Sequence, residues 1–228
     1  MPFYFLDSTF LLIIPAVLLA LWAQNRVKST YRRYSKVPAQ YGWTGAELAH
    51  RLLRDKGLNH VTIEEIPGEM TDHYDPRTRT LRLSSGVARS RSVAALGIAA
   101  HEVGHAFQHQ DLYQPFQIRQ HIVPVAGIGT KLAFPLVFIG LLMSFPVLMD
   151  IGIVFFSGAV LFQLVTLPVE YNASHRALAL LKQRGYLATA EVENTNKVLS
   201  AAALTYVAAA AVAVLQLIRL LVLRNNGD

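Results

Sequence analysis

The chain has 228 residues and no cysteine, which excludes disulfides, thiolate metal ligands and a cysteine nucleophile. Hydrophobic residues make up 53% of it and charged residues only 16%, and the mean hydropathy is +0.33. A soluble domain is about a quarter charged, so this composition predicts a membrane protein with a modest polar part. The net charge of +6 suits anionic headgroups. Membrane lipids are therefore predicted partners, whereas no motif indicates binding to nucleic acid.

Four apolar stretches approach or exceed the length of about 17 to 20 residues that a membrane span needs. They are residues 3–23, 132–148, 151–167 and 199–223. The first has no basic region before it and no small-residue cleavage site after it, so we interpret it as a retained anchor. The second and third are short and are predicted to form one hairpin. The second extends back toward Val123, and the third extends back toward Pro146.

Lysines and arginines predict the orientation of these spans. Five of them directly follow the first span and four lie in residues 168–198, whereas the predicted turn at Met149-Asp150 has none. The positive-inside rule then places residues 24–131 and 168–198 in the cytoplasm, with both termini outside.

The polar segment after the first span is predicted to be a small α+β unit. Thr44, with Glu47 three residues later, forms the pattern of a capping box, and Gly57 suits the end of the helix that follows. Three strands are predicted next, at residues 61–66, 71–74 and 80–84. The last two form a hairpin, since Asp-Pro between them favours a turn.

The segment His101-Glu102-Val103-Gly104-His105 lies in an apolar run that is predicted to be a helix, capped by Ser90 or Ser92. Histidines four residues apart lie on one helical face and can bind a single ion. Zinc binds neutral imidazole, and a catalytic zinc site keeps one position for water. Glu102, beside the first histidine, is predicted to be the general base for that water. H-E-x-x-H on a helix is the signature of a zinc peptidase, and hydrogen-bonded core histidines are the alternative.

Three residues are candidates for a third metal ligand. His109 keeps the four-residue spacing but lies about 12 Å along the helix axis from His101. Asp111 has metzincin-like spacing, but Gln108 stands where such sites need a glycine. Glu170 follows the predicted membrane hairpin, which returns the chain to the side that it left, and a glutamate buried there needs a cation. We therefore predict Glu170 as the ligand.

Further residues are candidates for catalysis and substrate binding. A tetrahedral intermediate needs an additional donor, for which His175 and Arg176 are the catalytic candidates and Tyr171 is another. The alternative is that His175 and Arg176 are cationic residues at the membrane interface without a role in catalysis. Extended substrates commonly add to the edge of a sheet, and the strand before the metal helix is the expected edge. The residues predicted to bind substrate there are Thr80, Leu81, Arg82 and Leu83.

Two segments of the chain closely resemble the neutral zinc metallopeptidases of bacterial membranes, the YugP-like group. They are residues 101–109 and Leu167-Pro168-Val169-Glu170-Tyr171-Asn172-Ala173-Ser174. The likeness extends to residues 72–76 and 81–84 and covers most of the chain.

The resemblance implies a membrane-bound gluzincin. Its expected site is one Zn²⁺ per chain on His101, His105 and Glu170, with Glu102 as the catalytic base. The chain is more distantly similar to CAAX-prenyl endopeptidases and heat-shock membrane peptidases, in which an aspartate four residues after the glutamate orients a histidine. Ser174 stands at that position here, with Asn172 two residues earlier, and both are candidates to hydrogen-bond a ligand's second ring nitrogen.

The predicted fold is therefore a mainly α membrane protein with about four transmembrane helices and a small cytoplasmic α+β zincin-like unit. Its predicted parts are an N-terminal anchor (1–24), the zincin-like part (25–121), a transmembrane hairpin (122–167), a second metal-ligand helix region that opens at Pro168 (168–198), and a C-terminal transmembrane helix with its tail (199–228).

These features predict an integral-membrane zinc endopeptidase that hydrolyses membrane-associated proteins or peptides. Its expected location is the bacterial inner (plasma) membrane, with several spans and the active site facing the cytoplasm. The expected partners are membrane lipids and a protein or peptide substrate, and oligomerisation or a membrane-protein partner is compatible with the sequence. The alternative is a catalytically silent scaffold or chaperone-like protein that retains the zinc-binding fold.

Overall fold

The structure is a computed structural model, and it describes residues 8–225. After a short 3-10 turn at Ser8–Leu12, the described chain forms seven α-helices and one small sheet. The helices are α1 (Ile14–Tyr34), α2 (Gly45–Asp55), α3 (Ser85–Ala88), α4 (Val93–Gln110), α5 (Gln114–Leu142), α6 (Pro146–Gln183) and α7 (Thr189–Asn225). The strands are β1 (Thr62–Ile66), β2 (His73–Asp75) and β3 (Thr80–Ser84).

Four helices of the described chain are long and apolar enough to cross a membrane. They are the run Thr9–Tyr34, which includes α1, and the helices α5, α6 and α7. The predicted class, a mainly α membrane protein with about four spanning helices and a small α+β part, is confirmed. Residues 3–7 of the first predicted span lie outside the described residues.

The predicted turn of the membrane hairpin at Met149-Asp150 is wrong, whereas the predicted extension of the third span back to Pro146 is confirmed. The chain turns at Met143–Phe145 instead of at Met149, and α5 begins as early as Gln114. Pro146 opens α6, and proline suits a first helical position because its missing N–H would have no partner there. A purely apolar pattern does not mark this turn, because both sides of it are equally hydrophobic.

The two helices of the hairpin pack closely at glycines. A Cβ at Gly140 would lie 2.7 Å from the Met149 side chain, and a Cβ at Gly152 would lie 2.8 Å from the carbonyl oxygen of Ala133. Small residues permit such close approach of helices in membranes.

The chain divides into two compact units. The polar unit consists of Asn25–Tyr113 and Val169–Ala203, and the described part of the apolar unit consists of residues 8–24, 114–168 and 204–225. The helices α1, α6 and α7 each contribute residues to both units. All the residues of the candidate site belong to the polar unit.

The polar unit contains the sheet, in the order β1-β3-β2. Strand β3 pairs in parallel with β1 and antiparallel with β2. The hairpin prediction is thereby confirmed, but the prediction that β3 is an edge strand is wrong. The strand β1, which precedes the hairpin, pairs with β3 along the edge that β2 leaves open.

Local capping signals in the polar unit agree with the sequence. Thr44 and Glu47 form both hydrogen bonds of the capping box at the start of α2. Of the two predicted caps of α4, Ser92 is the one whose side chain accepts a hydrogen bond from the backbone N–H of Ala95.

Pro168 does not open a helix, contrary to the prediction. It lies inside α6, which continues without a break to Gln183. Membrane helices tolerate internal proline because neighbouring groups satisfy the carbonyl that the proline leaves unpaired. The residues that follow it, including Glu170, therefore extend the same helix.

Candidate metal centre

His101, His105 and Glu170 come together between α4 and α6. Each offers one ligand atom, and these atoms lie within 4.8 Å of one another. Glu170 Oε2 is 3.1 Å from His101 Nε2 and 3.5 Å from His105 Nε2. Glu170 is only 3% exposed, so its carboxylate is removed from bulk water. The third-ligand candidate chosen from the sequence is thus the one beside both imidazoles.

The two distances from the Glu170 oxygen to the imidazole nitrogens fit a zinc ion. Zinc binds imidazole nitrogen and carboxylate oxygen at about 2.0 to 2.2 Å, so neighbouring ligands of a tetrahedral site are about 3.3 Å apart. The separations of 3.1 and 3.5 Å bracket that value. The rings of His101 and His105 are nearly perpendicular, at 86°, and their centres lie 4.8 Å apart.

Each histidine has a partner for its second ring nitrogen. Nδ1 of His101 lies 3.0 Å from the hydroxyl of Ser174, and Nδ1 of His105 lies 3.0 Å from Oε1 of Gln108. Such partners fix the orientation of ligating imidazoles. Ser174 is one of the two residues that the sequence indicated for this contact. The other, Asn172, contacts Gln108 instead of a ligand.

The hydrogen bonds of Gln108 determine which nitrogen of His105 carries the proton. The carbonyl oxygen of Val169 can only accept, so the amide atom 2.7 Å from it is the nitrogen of Gln108. Oε1 therefore accepts from Nδ1–H of His105, and in the neutral ring the lone pair of Nε2 faces the carboxylate of Glu170. Two acceptors that face each other in a buried site need a proton or a metal ion between them. The donor set thus fits a metal ion.

Gly104 allows the two ligand helices to approach each other. A Cβ at this position would lie 2.6 Å from the carbonyl oxygen of Ala173. Any larger residue would push α4 away from the segment that carries Glu170. The sequence interpretation assigned no role to Gly104 and did not identify this contact.

Gln108 was also missed as a site residue. It entered the sequence interpretation only because it stands where a metzincin has glycine. Its side chain is fully buried, at 0% exposure. The signal that would have identified it is its position three residues after His105, which places both on the same helical face.

The other ligand candidates have different partners. His109 Nδ1 lies 3.0 Å from the hydroxyl of Tyr74, and burial lowers the pKa of His109 while the nearby Arg79 and His60 lower it further. Burial also raises the pKa of Tyr74 to about 12. Asp111 ends α4 and forms an ion pair with Arg176.

His175 and Arg176, the predicted transition-state donors, line a cavity of about 230 Å³ together with Lys56 and Phe107. The guanidinium of Arg176 lies 5.7 Å from the centre of the Tyr113 ring and is also paired with Asp111. These contacts explain the position of the Arg176 side chain without a role in binding substrate. A role of either residue in the transition state stays a prediction.

The residues predicted to bind substrate lie on the central strand of the sheet. Leu81 and Leu83 are fully buried and Thr80 is buried as well. Arg82 forms ion pairs with Glu64 and Asp75 on the neighbouring strands. Because both edges of β3 are already paired, a substrate strand cannot add to it, and this part of the prediction is wrong.

Comparison with known proteins identifies the family. Residues 9–225 match the family described as "Putative neutral zinc metallopeptidase". The chain belongs to this family. A relative from Bacillus subtilis (strain 168), named "Putative membrane protease YugP", is 48% identical over 217 residues, which cover 95% of this chain and 96% of the relative. No solved structure matches the chain.

Membership of this family gives the three-residue group its context. The family implies zinc, and His101, His105 and Glu170 form a group of described residues that could hold it. The resemblance drawn from the sequence is confirmed.

Proposed function

We propose that this chain is an integral-membrane zinc endopeptidase whose active site consists of His101, His105, Glu170 and Glu102. The observation that carries this proposal is the meeting of two imidazole nitrogens and one buried carboxylate at the spacing of a zinc site. The family match and the name of the relative support it. We place one zinc ion in each chain.

Zinc bound in this site would polarise the scissile carbonyl and lower the pKa of water to about 7. Glu102 follows His101 directly on α4 and is 8% exposed. We assign to its carboxylate the removal of a proton from the attacking water and the delivery of that proton to the leaving amine nitrogen. His101, His105 and Glu170 would bind the ion, and Ser174 and Gln108 would orient the two imidazole rings.

We propose that an extended substrate adds to the edge strand β2. The sheet order leaves β1 and β2 at its edges. Of these, β2 lies beside the metal helix, because Tyr74 on β2 contacts His109, one turn beyond His105. Main-chain hydrogen bonds to an edge strand align a peptide without reading its side chains. Peptides N-methylated at alternate backbone positions should be cleaved more slowly than the parent peptide if this edge binds them.

We further propose that the site faces the cytoplasm of the bacterial inner membrane. The support is the distribution of lysines and arginines, most of which belong to the polar unit, whereas the turn between α5 and α6 has none. The substrates of such a site are proteins or peptides near the membrane, and membrane lipids surround the apolar helices.

The proposed activity is tested with the full chain purified in detergent. Zinc content is measured first, and peptide or casein cleavage is then measured with and without a chelator. Glu102→Gln should retain zinc and lose at least about 100-fold in cleavage rate, because a positioned general base contributes about 10² to 10⁴. The matched control is Glu193→Gln, at an exposed position on α7. Zinc binding without any cleavage by the wild-type chain would favour the scaffold alternative, and absence of zinc would contradict the site itself.

A further inference from the structure

We propose that Gln108 is a positioning residue that braces two metal ligands at once, and that Asn172 and Arg176 hold it in place. This inference rests on the proposed zinc site. It assigns a role to a residue that no sequence motif marks and gives Arg176 a structural reason for its location.

The brace joins the two helices that carry the ligands. Oε1 of Gln108 accepts a hydrogen bond from His105 on α4, and its Nε2 donates to the carbonyl oxygen of Val169 on α6, at 3.0 and 2.7 Å. Val169 directly precedes Glu170. A single side chain therefore connects the ring of one ligand to the backbone beside another. This contact sets the relative position of His105 and Glu170 along their two helices.

A second contact fixes the amide of Gln108. Its Nε2 also donates to Oδ1 of Asn172, at 3.0 Å, and the same oxygen accepts from Nε of Arg176, at 2.7 Å. Arg176 is in turn paired with Asp111, the residue that ends α4. The hydrogen bonds thus run without interruption from Asp111 through Arg176, Asn172 and Gln108 to His105.

Because Gln108 is buried, the loss of any of its hydrogen bonds is destabilising. Its side chain is fully buried, and a buried amide that loses a hydrogen-bond partner is not compensated for its lost contact with water. The amide can satisfy its partners in one orientation only, because Val169 offers a carbonyl oxygen and Asn172 also offers an oxygen. The orientation that satisfies them presents an acceptor to His105 Nδ1, which leaves Nε2 of that ring for the metal.

The inference predicts that Gln108→Met weakens zinc binding. Methionine has a similar length but cannot make these hydrogen bonds. We expect the zinc dissociation constant, measured by competition with a chromophoric chelator, to rise about 10- to 100-fold, the usual effect of removing a partner of a ligating histidine. Gln110→Met is the matched control, since Gln110 lies on the same helix but is exposed, and its zinc affinity should not change.

A spectroscopic measurement separates positioning from general stability. Nitrogen NMR of the zinc-loaded chain labelled at histidine should show a hydrogen-bonded Nδ1–H on His105, and the signature of that hydrogen bond should be lost in Gln108→Met. If Gln108→Met does not fold, Asn172→Ala and Arg176→Gln test the brace indirectly, because each removes a contact that holds Gln108 in place. Each should weaken zinc binding about 3- to 10-fold, less than loss of the direct partner.

The outcomes distinguish this inference from the proposed function. If the wild-type chain binds no zinc, the proposed site is wrong. If it binds zinc and the folded variants bind it within twofold of wild type, with the hydrogen-bond signature of His105 unchanged, only the role of Gln108 is wrong. Affinity loss in all three variants, with the Gln110→Met control unchanged, would support the brace.

Discussion

Gly104 on α4 lies directly against the backbone of Ala173 on α6. A Cβ at position 104 would be 2.6 Å from the carbonyl oxygen of Ala173, and carbonyl oxygens of a helix cannot move aside as a flexible side chain can. Gly104 lies between the two histidines of the motif, and Ala173 lies between Glu170 and Ser174. The glycine thus determines the separation of the helices at the level of the site.

Gly104→Ala should therefore separate α4 from α6. We expect a loss of about 1 to 3 kcal/mol in the free energy of unfolding, as for other overpacked sites, together with weaker zinc binding. Thermal unfolding and chelator competition measure the two effects. Gly127→Ala is the control, because a Cβ there meets nothing within 4 Å. Equal zinc affinity in Gly104→Ala and wild type would contradict this explanation.

Ser174→Ala should weaken zinc binding about 10-fold, because it removes the partner of His101 Nδ1. Ser174→Asp should restore the affinity, since a carboxylate at this position can accept a hydrogen bond from that nitrogen. The zinc dissociation constants of both variants measure this, with Ser200→Ala on α7 as the control. Failure of the aspartate to exceed the alanine in affinity would argue against orientation of His101 by residue 174.

Protonation of His109 should destabilise the polar unit. Burial lowers the pKa of His109 in the folded chain below its value of about 6.5 in the unfolded chain. The neutral ring therefore stabilises the fold above about pH 6.5, and this contribution declines as the pH falls below that value, because the unfolded chain binds the proton first.

The measurement is an NMR titration of His109 in the metal-free chain, together with thermal unfolding at two pH values. His109→Gln should show a smaller loss of stability than wild type between pH of about 7.5 and 5.5. An NMR pKa at or above the ordinary histidine value would contradict the prediction.

The absence of cysteine makes the orientation of the chain directly testable. Single cysteines are introduced at Glu69, in the exposed segment between β1 and β2, and at Met143, in the exposed turn between α5 and α6. A membrane-impermeant maleimide should label Met143→Cys in intact cells and Glu69→Cys only after the membrane is opened, because most of the positive charges belong to the polar unit. The reverse labelling pattern would place the active site outside the cytoplasm.

Local patterns predicted the elements that depend on neighbours in sequence. The capping box of Thr44 and Glu47, the hairpin from β2 to β3, the cap at Ser92 and the spacing of His101 and His105 each involve residues at most about ten positions apart. Errors arose where a distant segment determines the outcome. β3 becomes a central strand only because β1 pairs with it, and Pro168 stays within a helix that both units share.

The sequence by itself determined that this is a membrane protein, that a helix carries two histidines and a glutamate in the zinc-peptidase pattern, and that Glu170 is the expected third ligand. Only the tertiary structure decided which groups support the ligands. Gln108 and Gly104 act through contacts with α6, about 60 or more residues away along the chain, and hydrogen-bond partners at that separation leave no periodic signal in a single sequence. Helix packing, which brings Val169 and Ala173 against α4, is what gives these two residues their roles.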